Sequence, residues 1–299
     1  KYNGGGTYWV NQGKLNNTGV EMSLTTFPVK GAVTWETSLN ASYVKNEIKN
    51  LGNQTGYIDK ESLPTLGTVS RNENGYPIGY FFGYKAIGVF QTQEEIDSYI
   101  SPATGKPIQP NAAPGDTKFE DLNGDGVISD DNEDRTMIGK PNPDWMVGLT
   151  VAADWNGFDL SAFFQGSFGA AVFDALRRYE LAAVNYTSDA LERWTGPGTS
   201  NSMPRIVLGD TPKNFRPSTL LVHDASFLRL RNLQVGYTLP AQLTRKAYIQ
   251  RLRFYASFDN LLTITGYKGM DPEIGSTMGI DKGVYPQARV YTFGLNLTF

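Results

Sequence analysis

An acidic segment at residues 121–134 has the residue types and spacing of a calcium-binding loop. Side-chain oxygens stand at alternate positions in Asp121, Asn123 and Asp125, and Gly126 occupies the sixth position. A loop with this spacing can wrap its oxygens around Ca²⁺, and the glycine permits the sharp turn. The twelfth position departs from the pattern, because it holds Asn132 instead of a bidentate Glu. The predicted ligands are Asp121, Asn123, Asp125, Val127 (through its carbonyl oxygen) and Asp134.

The alternative for this segment is an Asx-rich turn that binds no metal. If calcium binds, we expect it to stiffen the long segment that carries the loop, and we expect no catalytic role for it. Calcium is the only cofactor that the sequence predicts.

Residues that could support catalysis are scarce. The chain has no Cys and a single His, His223, so a cysteine nucleophile is excluded and a Ser-His-Asp triad is not expected. Asp271 and Glu273 are close enough in sequence to suggest the carboxylate pair of a glycosidase. With 30 Asp and Glu residues, however, close pairs arise by chance. The sequence therefore predicts no enzymatic activity and no catalytic residue.

Four aromatic residues in segments without strand character are candidate contacts for a sugar ring or a partner protein. Aromatic packing within long loops, or placement at a membrane interface, is an equally open alternative for them. The four candidates are Tyr179, Tyr186, Trp194 and Tyr285.

Charge and hydropathy narrow the classes of protein. The net charge of −3 provides no basic face for nucleic acid. No run of about 18 apolar residues is present, so no transmembrane helix is predicted. The mean hydropathy of −0.35 resembles that of a water-soluble protein. In a transmembrane β-barrel, however, polar and apolar residues alternate, and the average hides the membrane-facing surface.

The C-terminal segment alternates strictly between large apolar and small or polar residues. The opposite face carries Thr292, Gly294, Asn296 and Thr298. A strand of this kind whose last residue is an apolar-face Phe is typical of outer-membrane barrels, in which it serves as a membrane-insertion signature. The apolar face carries Tyr291, Phe293, Leu295, Leu297 and Phe299.

Six further segments show the same alternation, which gives about seven strands of membrane-crossing length. Short turns alternate with long connections at 47–144, 169–226 and 263–289. This asymmetry is typical of outer-membrane barrels, whose long loops lie outside the cell. The predicted strands are 18–28, 32–46, 145–155, 158–168, 227–239, 251–262 and 290–299.

Two predictions concern the long connections. Strand direction counted back from the C-terminus allows none or two crossings within 47–144, so the aromatic stretch 80–90 is placed in an extracellular hairpin. In the second connection, Val172, Leu176, Tyr179 and Ala183 fall at helical spacing, which predicts a helical segment within 170–196.

These residues resemble a known family, the SusC/RagA-type TonB-dependent outer-membrane transporters of the Bacteroidetes. The resemblance extends over nearly the whole chain in order and spacing. The matching segments are 16–21, 75–84, 121–126, 138–144, 157–161, 227–233, 236–240, 259–263, 271–275, 285–289 and the terminal strand.

The resemblance implies a larger protein than this chain. Members of the family are similar in having a plug domain inside a barrel of about 22 strands. They bind a SusD-like surface lipoprotein at the extracellular mouth and take energy from TonB through a motif near the N-terminus. This sequence contains neither plug nor TonB motif. We therefore expect it to be the C-terminal third of a plugged barrel, with the plug and early strands on another chain.

The sequence as a whole predicts an all-β chain: a membrane-spanning antiparallel β-barrel portion with long extracellular loops. The predicted function is part of a TonB-dependent importer of oligosaccharides or peptides in the outer membrane, with membrane lipid and a SusD-like lipoprotein as partners. Two alternatives remain open. One is an adhesive or structural surface barrel, and the other is a soluble glycan-binding β-sandwich.

Overall fold

A computed structural model describes residues 12–181, 185–274 and 278–299, and strands predominate in it. In chain order the strands are β1 (Lys14–Val29), β2 (Val33–Asn50), β3 (Tyr57–Asp59), β4 (Ser62–Leu63), β5 (Gly67–Thr68), β6 (Ser70–Glu73), β7 (Tyr80–Gly83), β8 (Ala86–Val89), β9 (Thr117–Phe119), β10 (Thr136–Gly139), β11 (Trp145–Trp155), β12 (Phe158–Phe168), β13 (Ala171–Asp174), β14 (Val222–Asp224), β15 (Phe227–Thr238), β16 (Arg251–Thr265), β17 (Ile280–Asp281) and β18 (Val290–Thr298).

Helices are few and short. Within the described ranges, no helix has the length and apolar character needed to cross a membrane. In the part of the chain that the structure describes, the two α-helices are α1 (Gln93–Ser98) and α2 (Ala241–Thr244), and the 3₁₀ segments are Ser188–Glu192, Leu208–Asp210, Thr219–Leu221 and Arg245–Ala247.

The helix predicted within 170–196 is wrong for most of its length. Val172 lies in β13, where it pairs with His223 of β14, and among the described residues of 170–196 only the 3₁₀ turn Ser188–Glu192 is helical. Ala183 falls outside the described residues. The apolar spacing does not come from one helix face, because Val172 is buried in β13 and Tyr179 is buried in a turn.

Seven strands form one antiparallel sheet with the order β1-β2-β11-β12-β15-β16-β18. This confirms the seven predicted strands. The strand β2 pairs directly with β11, so the intervening segment contributes no strand to this sheet. A sandwich divides its long strands between two sheets packed face to face, whereas the seven long strands described here belong to one continuous sheet, which argues against the sandwich alternative.

Apolar side chains cover one face of the sheet, as the alternation predicts. Phe293 is 76% exposed and pairs with Ala256, and its neighbours Thr292 and Gly294 fall on the other face. In a water-soluble protein this much large apolar surface would be buried, whereas a barrel turns it towards lipid. The whole C-terminal signature is exposed: Tyr291, Phe293, Leu295, Leu297 and Phe299.

The tight connection between β11 and β12 follows from its sequence. Asn156 and Gly157 have φ angles of 48° and 84°. Both residues are therefore left-handed, as a two-residue type I′ hairpin requires, and Asn-Gly is the pair best suited to it. The hairpin sets the register of the whole pair, from Trp155 opposite Phe158 to Trp145 opposite Phe168.

Aromatic side chains gather at both ends of these strands. At the hairpin end, Phe158 lies 6.4 Å from Trp155 and 4.4 Å from Tyr237, measured between ring centroids. At the other end, Trp145 lies 5.0 Å from Tyr43. Ten residue steps separate the two ends, which is about 34 Å along a strand and about 25 Å across a bilayer at the usual tilt. The sheet thus has the height of an outer-membrane apolar band.

A register shift at Arg231 interrupts the alternation in β15. The pairing slips by one residue there on both sides, against β12 and against β16. The slip lets Leu228 and Val235, which are an odd number of residues apart, both lie exposed on the apolar face. It also re-aims the Arg231 side chain, as bulges beside functional sites commonly do.

The chain divides into two compact units. The sheet unit comprises Gly19–Val44, Pro141–Leu176 and Val222–Phe299, and the loop unit comprises mainly Lys45–Lys140 and Arg177–Leu221. The two long connections predicted at 47–144 and 169–226 thus fold largely together. They are joined by Arg205, whose Nε donates to Asp116 Oδ1 at 2.6 Å, and by Asn214, whose Oδ1 accepts from the Thr117 N–H at 2.8 Å.

The loop unit has an ordinary buried core. Its small sheets are β10-β7-β6-β3, β4-β5 and β8-β9. The aromatic stretch 80–90 has the predicted strand character and lies outside the large sheet. Its two strands, β7 and β8, belong to different small sheets, and β7 forms a hairpin with β6. The core side chains include Tyr80, Phe81, Phe82, Phe90, Phe119, Tyr179, Phe215 and Leu221.

Candidate functional site on the polar face of the sheet

A buried ion-pair network occupies the polar face of the sheet unit, centred on Arg229 of β15. The Arg229 Nη2 donates to Asp271 Oδ1 at 2.5 Å, and its Nη1 donates to Glu273 Oε2 at 3.1 Å. Its Nε donates to Thr263 Oγ1 of β16 at 2.9 Å. All three nitrogen atoms of this guanidinium therefore have acceptors, and the side chain is almost completely buried.

Arg231 extends the network across the neighbouring strands. Its Nη2 donates to both carboxylate oxygens of Glu273 at 2.6 Å, and its Nε donates to Gln165 Oε1 of β12 at 2.6 Å. Its Nη1 donates to Asn260 Oδ1 of β16 at 3.1 Å. Such charge-assisted bonds with a fixed guanidinium geometry are among the strongest hydrogen bonds in proteins. Three strands are thereby tied to one carboxylate.

The network holds the connection between β16 and β18 against the sheet. Asp271 and Glu273 both belong to this connection, and Asp271 Oδ2 accepts the N–H of Gln287 from its far end at 3.0 Å. Burial alone would raise the pKa of the Asp271 carboxyl. The N–H groups of Gln287 and Glu273 and the Arg229 guanidinium outweigh burial, so this pKa lies below its ordinary value.

These contacts bear on the glycosidase alternative. A general acid needs a carboxyl with a raised pKa, but that of Asp271 is lowered, and Arg229 and Arg231 bind Glu273. The two carboxylates thus serve as anchors for arginines, and nothing in their contacts prepares them for acid–base chemistry.

The roles of the two arginines were not predicted from the sequence. Segments 227–233, 259–263, 271–275 and 285–289 were each noted for the resemblance, and the structure brings residues of all four together. The available signal was Arg229 and Arg231 two residues apart in a strand, followed by two acids in one connection. Nothing in the sequence gives the pairing between them.

The predicted calcium loop is closed by its own hydrogen bonds. Asp121 accepts the N–H groups of Gly124 at 2.8 Å and Gly126 at 2.9 Å. Asn123 Oδ1 and Asp125 Oδ1 each accept the N–H group two residues later in the chain. Gly124 and Gly126 have φ angles of 77° and 90°, which favour glycine at both positions.

Asp134 closes the loop from its far end. It is fully buried, and its two carboxylate oxygens accept the N–H groups of Leu122 and Ser129, both at 3.1 Å. Across residues 12–181, 185–274 and 278–299, no three His, Cys, Asp or Glu side chains are grouped as a metal site would require. Calcium binding by Asp121, Asn123, Asp125, Val127 and Asp134 stays a prediction.

The four candidate aromatic residues differ widely in exposure. Tyr179 is 1% exposed and packs with Ala190, Met203 and Phe215, so its ring has no surface to offer a ligand. Trp194 is half-buried against Gly115 and donates from Nε1 to Gln91 Oε1 at 3.2 Å.

The other two are accessible. Tyr186 is exposed, with its ring 5.5 Å from that of Tyr179, and Tyr285 of the sheet unit is 87% exposed. Contact with a sugar or a partner is therefore a prediction that the geometry favours for Tyr186 and Tyr285.

Comparisons with known proteins agree on one class. The chain is 32% identical over 313 residues to TonB-dependent receptor P3 of Formosa agariphila, a match that covers all of this chain and 30% of that protein. It is 31% identical over 293 residues to TonB-dependent receptor SusC of Bacteroides thetaiotaomicron, covering 97% of this chain and 27% of that protein. No protein-family model matches the sequence.

A solved structure described as the RagAB peptide transporter has a similar fold, with a TM-score of 0.73 and 27% sequence identity. The match covers 96% of this chain and 30% of the solved chain. The chain thus spans about 30% of the length of the relatives that it matches.

Proposed function

Over the segment that it spans, this chain belongs to the SusC/RagA family of TonB-dependent receptors, and from this premise we propose that it forms part of the barrel of an outer-membrane nutrient importer. The observation that carries the proposal is the seven-stranded sheet. One of its faces is apolar and exposed between two groups of aromatic residues, and the other holds the arginine–carboxylate network.

The sheet is open at β1 and β18, and neither has a second strand neighbour among the described residues. Unpaired strand edges are unfavourable in a bilayer, because backbone N–H and C=O groups find no water there. In the proposal, the remaining strands of the barrel close these edges and surround a plug. The long connections then lie on the outside of the cell, where a SusD-like lipoprotein binds.

Cargo in the proposal is an oligosaccharide or a peptide, taken up with energy from TonB. The relative SusC and the RagAB peptide transporter are the basis for these two classes. The exposed rings of Tyr186 and Tyr285 are suited to stacking on sugars or to packing against the lipoprotein.

Import is tested in cells that produce the full-length transporter. Uptake of labelled oligosaccharides and labelled peptides is measured with TonB intact and with TonB inactivated, and the transporter is purified in detergent to identify bound lipoprotein. We expect uptake of one cargo class that stops without TonB. Surface attachment of cells that continues without TonB, with no uptake of either class, would instead establish the adhesive or structural barrel.

We also propose that the loop 121–134 binds calcium through its alternate oxygens. The support is the hydrogen bonding that already holds Asp121, Asn123 and Asp125 on one tight loop closed by buried Asp134. The thermal unfolding of the full-length transporter is measured with CaCl₂ and with a chelator. We expect stabilisation by calcium that Asp125→Asn removes and that the control Asp97→Asn, on exposed α1, leaves intact. Equal unfolding in calcium and chelator would establish the metal-free Asx turn.

A further inference from the structure

A cavity of about 240 Å³ within the loop unit brings three cationic side chains together. Arg135, Lys213 and Arg216 line it, with Tyr84 and Asp130 beside them. The residues come from both long connections, so the fold of the loop unit assembles the cavity.

Both arginines are held in place by aromatic rings. The Arg135 guanidinium lies 4.3 Å from the Phe82 ring centroid, and its Nη2 donates to the Phe82 carbonyl oxygen at 2.7 Å. The Arg216 guanidinium lies 4.8 Å from the ring of Tyr84 and 4.9 Å from that of Phe119. Stacked guanidinium groups lose little freedom when they bind a planar or tetrahedral oxyanion.

Each of the two arginines has one buried nitrogen atom without a hydrogen-bond acceptor. In the part of the chain that the structure describes, Arg135 Nε and Arg216 Nη1 are buried and have no hydrogen-bond partner. Arg216 Nη1 lies 3.8 Å from Asp130 Oδ1, which is beyond hydrogen-bond distance. Buried charged donors are nearly always satisfied, so two of them beside one cavity indicate a missing acceptor.

The two acidic residues at the cavity, Asp210 and Asp130, differ in burial and in how firmly their carboxylates are held. Asp210 is buried, and its carboxylate oxygens accept the N–H groups of Asn214 and Phe215, both at 2.9 Å. The Asp130 side chain is 66% exposed and pairs with Lys213. An exposed ion pair of this kind is weak, so an incoming anion can displace Asp130 from Lys213.

We propose that this cavity binds a single oxyanion group, a carboxylate or a sulfate, through Lys213, Arg216 and Arg135. The cavity has room for such a group beside its three cationic side chains. The group arrives either as a free anion or as the acidic substituent of an imported oligosaccharide or peptide. Only the second source rests on the proposed import function.

Direct binding to the full-length transporter in detergent tests the site. Sodium sulfate and sodium acetate are titrated calorimetrically, with sodium chloride as the reference. We expect saturable binding that Lys213→Gln weakens about tenfold, since an ordinary charge-assisted contact is lost. Asp130→Asn is expected to strengthen binding severalfold, because it removes the competing carboxylate.

Matched controls come from another exposed ion pair of the same unit, Lys85 with Glu120, whose charged atoms are 3.3 Å apart. Lys85→Gln and Glu120→Gln make the same charge changes at residues that do not line the cavity, and we expect neither to alter binding. Absence of binding, or binding insensitive to both Lys213→Gln and Asp130→Asn, would overturn the proposal.

The two sources are separated by a sulfated oligosaccharide and its unsulfated counterpart. Tighter binding of the sulfated chain that Lys213→Gln abolishes assigns the site to cargo. Equal binding of the two chains, with free sulfate still bound, assigns it to free anions. None of these binding measurements needs transport or TonB. They therefore test the anion site even if the import proposal fails.

Discussion

The sheet unit and the loop unit place their apolar residues in opposite ways. In the sheet unit the apolar Phe293 is exposed, while the charged Arg229 is almost completely buried. In the loop unit Phe81 and Phe215 are buried, while Lys213 is exposed. Both arrangements follow the same transfer free energies, applied to different surroundings: a bilayer outside the barrel wall in one case and water around the loops in the other.

The difference determines what holds each unit together. The sheet unit depends on paired backbone groups and on buried ion pairs at its polar face, because the large apolar side chains of its other face are exposed. The loop unit depends on an aromatic core and on polar side chains that bind backbone groups across its two long segments. Substitutions of the same kind should therefore have different effects in the two units.

The largest effect is expected from Arg229→Met. It leaves the Asp271 carboxylate, 5% exposed, without its guanidinium partner. Breaking a buried pair by removing one member costs about 3–5 kcal/mol. Denaturant unfolding of the full-length protein should show this loss, and the connection between β16 and β18 should become sensitive to protease.

Arg231→Met makes the same substitution at the second arginine of the network and is compared with Arg229→Met. Arg231 and Glu273 are both partly exposed, so the loss should be smaller than for Arg229. The variant Arg229→Met with Asp271→Leu removes the orphaned charge and should recover part of the stability. Equal losses for Arg229→Met and Arg231→Met would contradict the central position given to Arg229.

The next effect tests the apolar face. Phe293→Arg places a charge near the middle of β18 on this face, at a cost of about 2–4 kcal/mol in a bilayer. Thr292→Arg, one residue earlier, makes the same change on the polar face and should cost far less. The fraction of folded barrel, read from electrophoresis without heating, distinguishes them. Similar losses for both variants would refute the assignment of the two faces.

A pH effect is expected in the loop unit from Asp210. Burial raises the pKa of its carboxyl to about 6, against an ordinary value of 3.8. The folded unit thus holds a proton that the unfolded chain has released, so stability falls as the pH rises from about 4 to about 6. The loss amounts to about 3 kcal/mol.

Hydrogen exchange at the Asn214 and Phe215 amides, corrected for intrinsic rates, measures this loss, because both groups donate to Asp210. Asp210→Asn should remove most of this pH dependence of amide protection, because it removes the titrating carboxyl. Arg216 and Glu180, the charged groups that act on Asp210, remain in place in this variant. Protection that is constant between pH 4 and pH 7 in the unsubstituted protein would contradict the raised pKa.

The contrast between the units also explains what the sequence could predict. The seven strands were correct because each alternates over most of its length with the period of two that a barrel requires. The helix predicted within 170–196 was wrong because Val172 is buried in the short strand β13 and Tyr179 is buried in a turn, so their spacing is not that of one element. Arg229 with Asp271, and Arg135 with Arg216, meet only through long-range folding, so their sequence positions carry no sign of the contact.

The smallest expected change in stability comes from removing a tyrosine hydroxyl, and it should differ between buried Tyr179 and exposed Tyr285. Tyr179→Phe removes the hydroxyl that lies 2.6 Å from Thr187 Oγ1 in the loop core, at a cost of about 1 kcal/mol. Tyr285→Phe alters a ring that is 87% exposed and should change stability by less than about 0.5 kcal/mol. Thermal unfolding of the full-length transporter compares the two. If Tyr285→Phe proved the more destabilising, Tyr285 would belong to a packed interface.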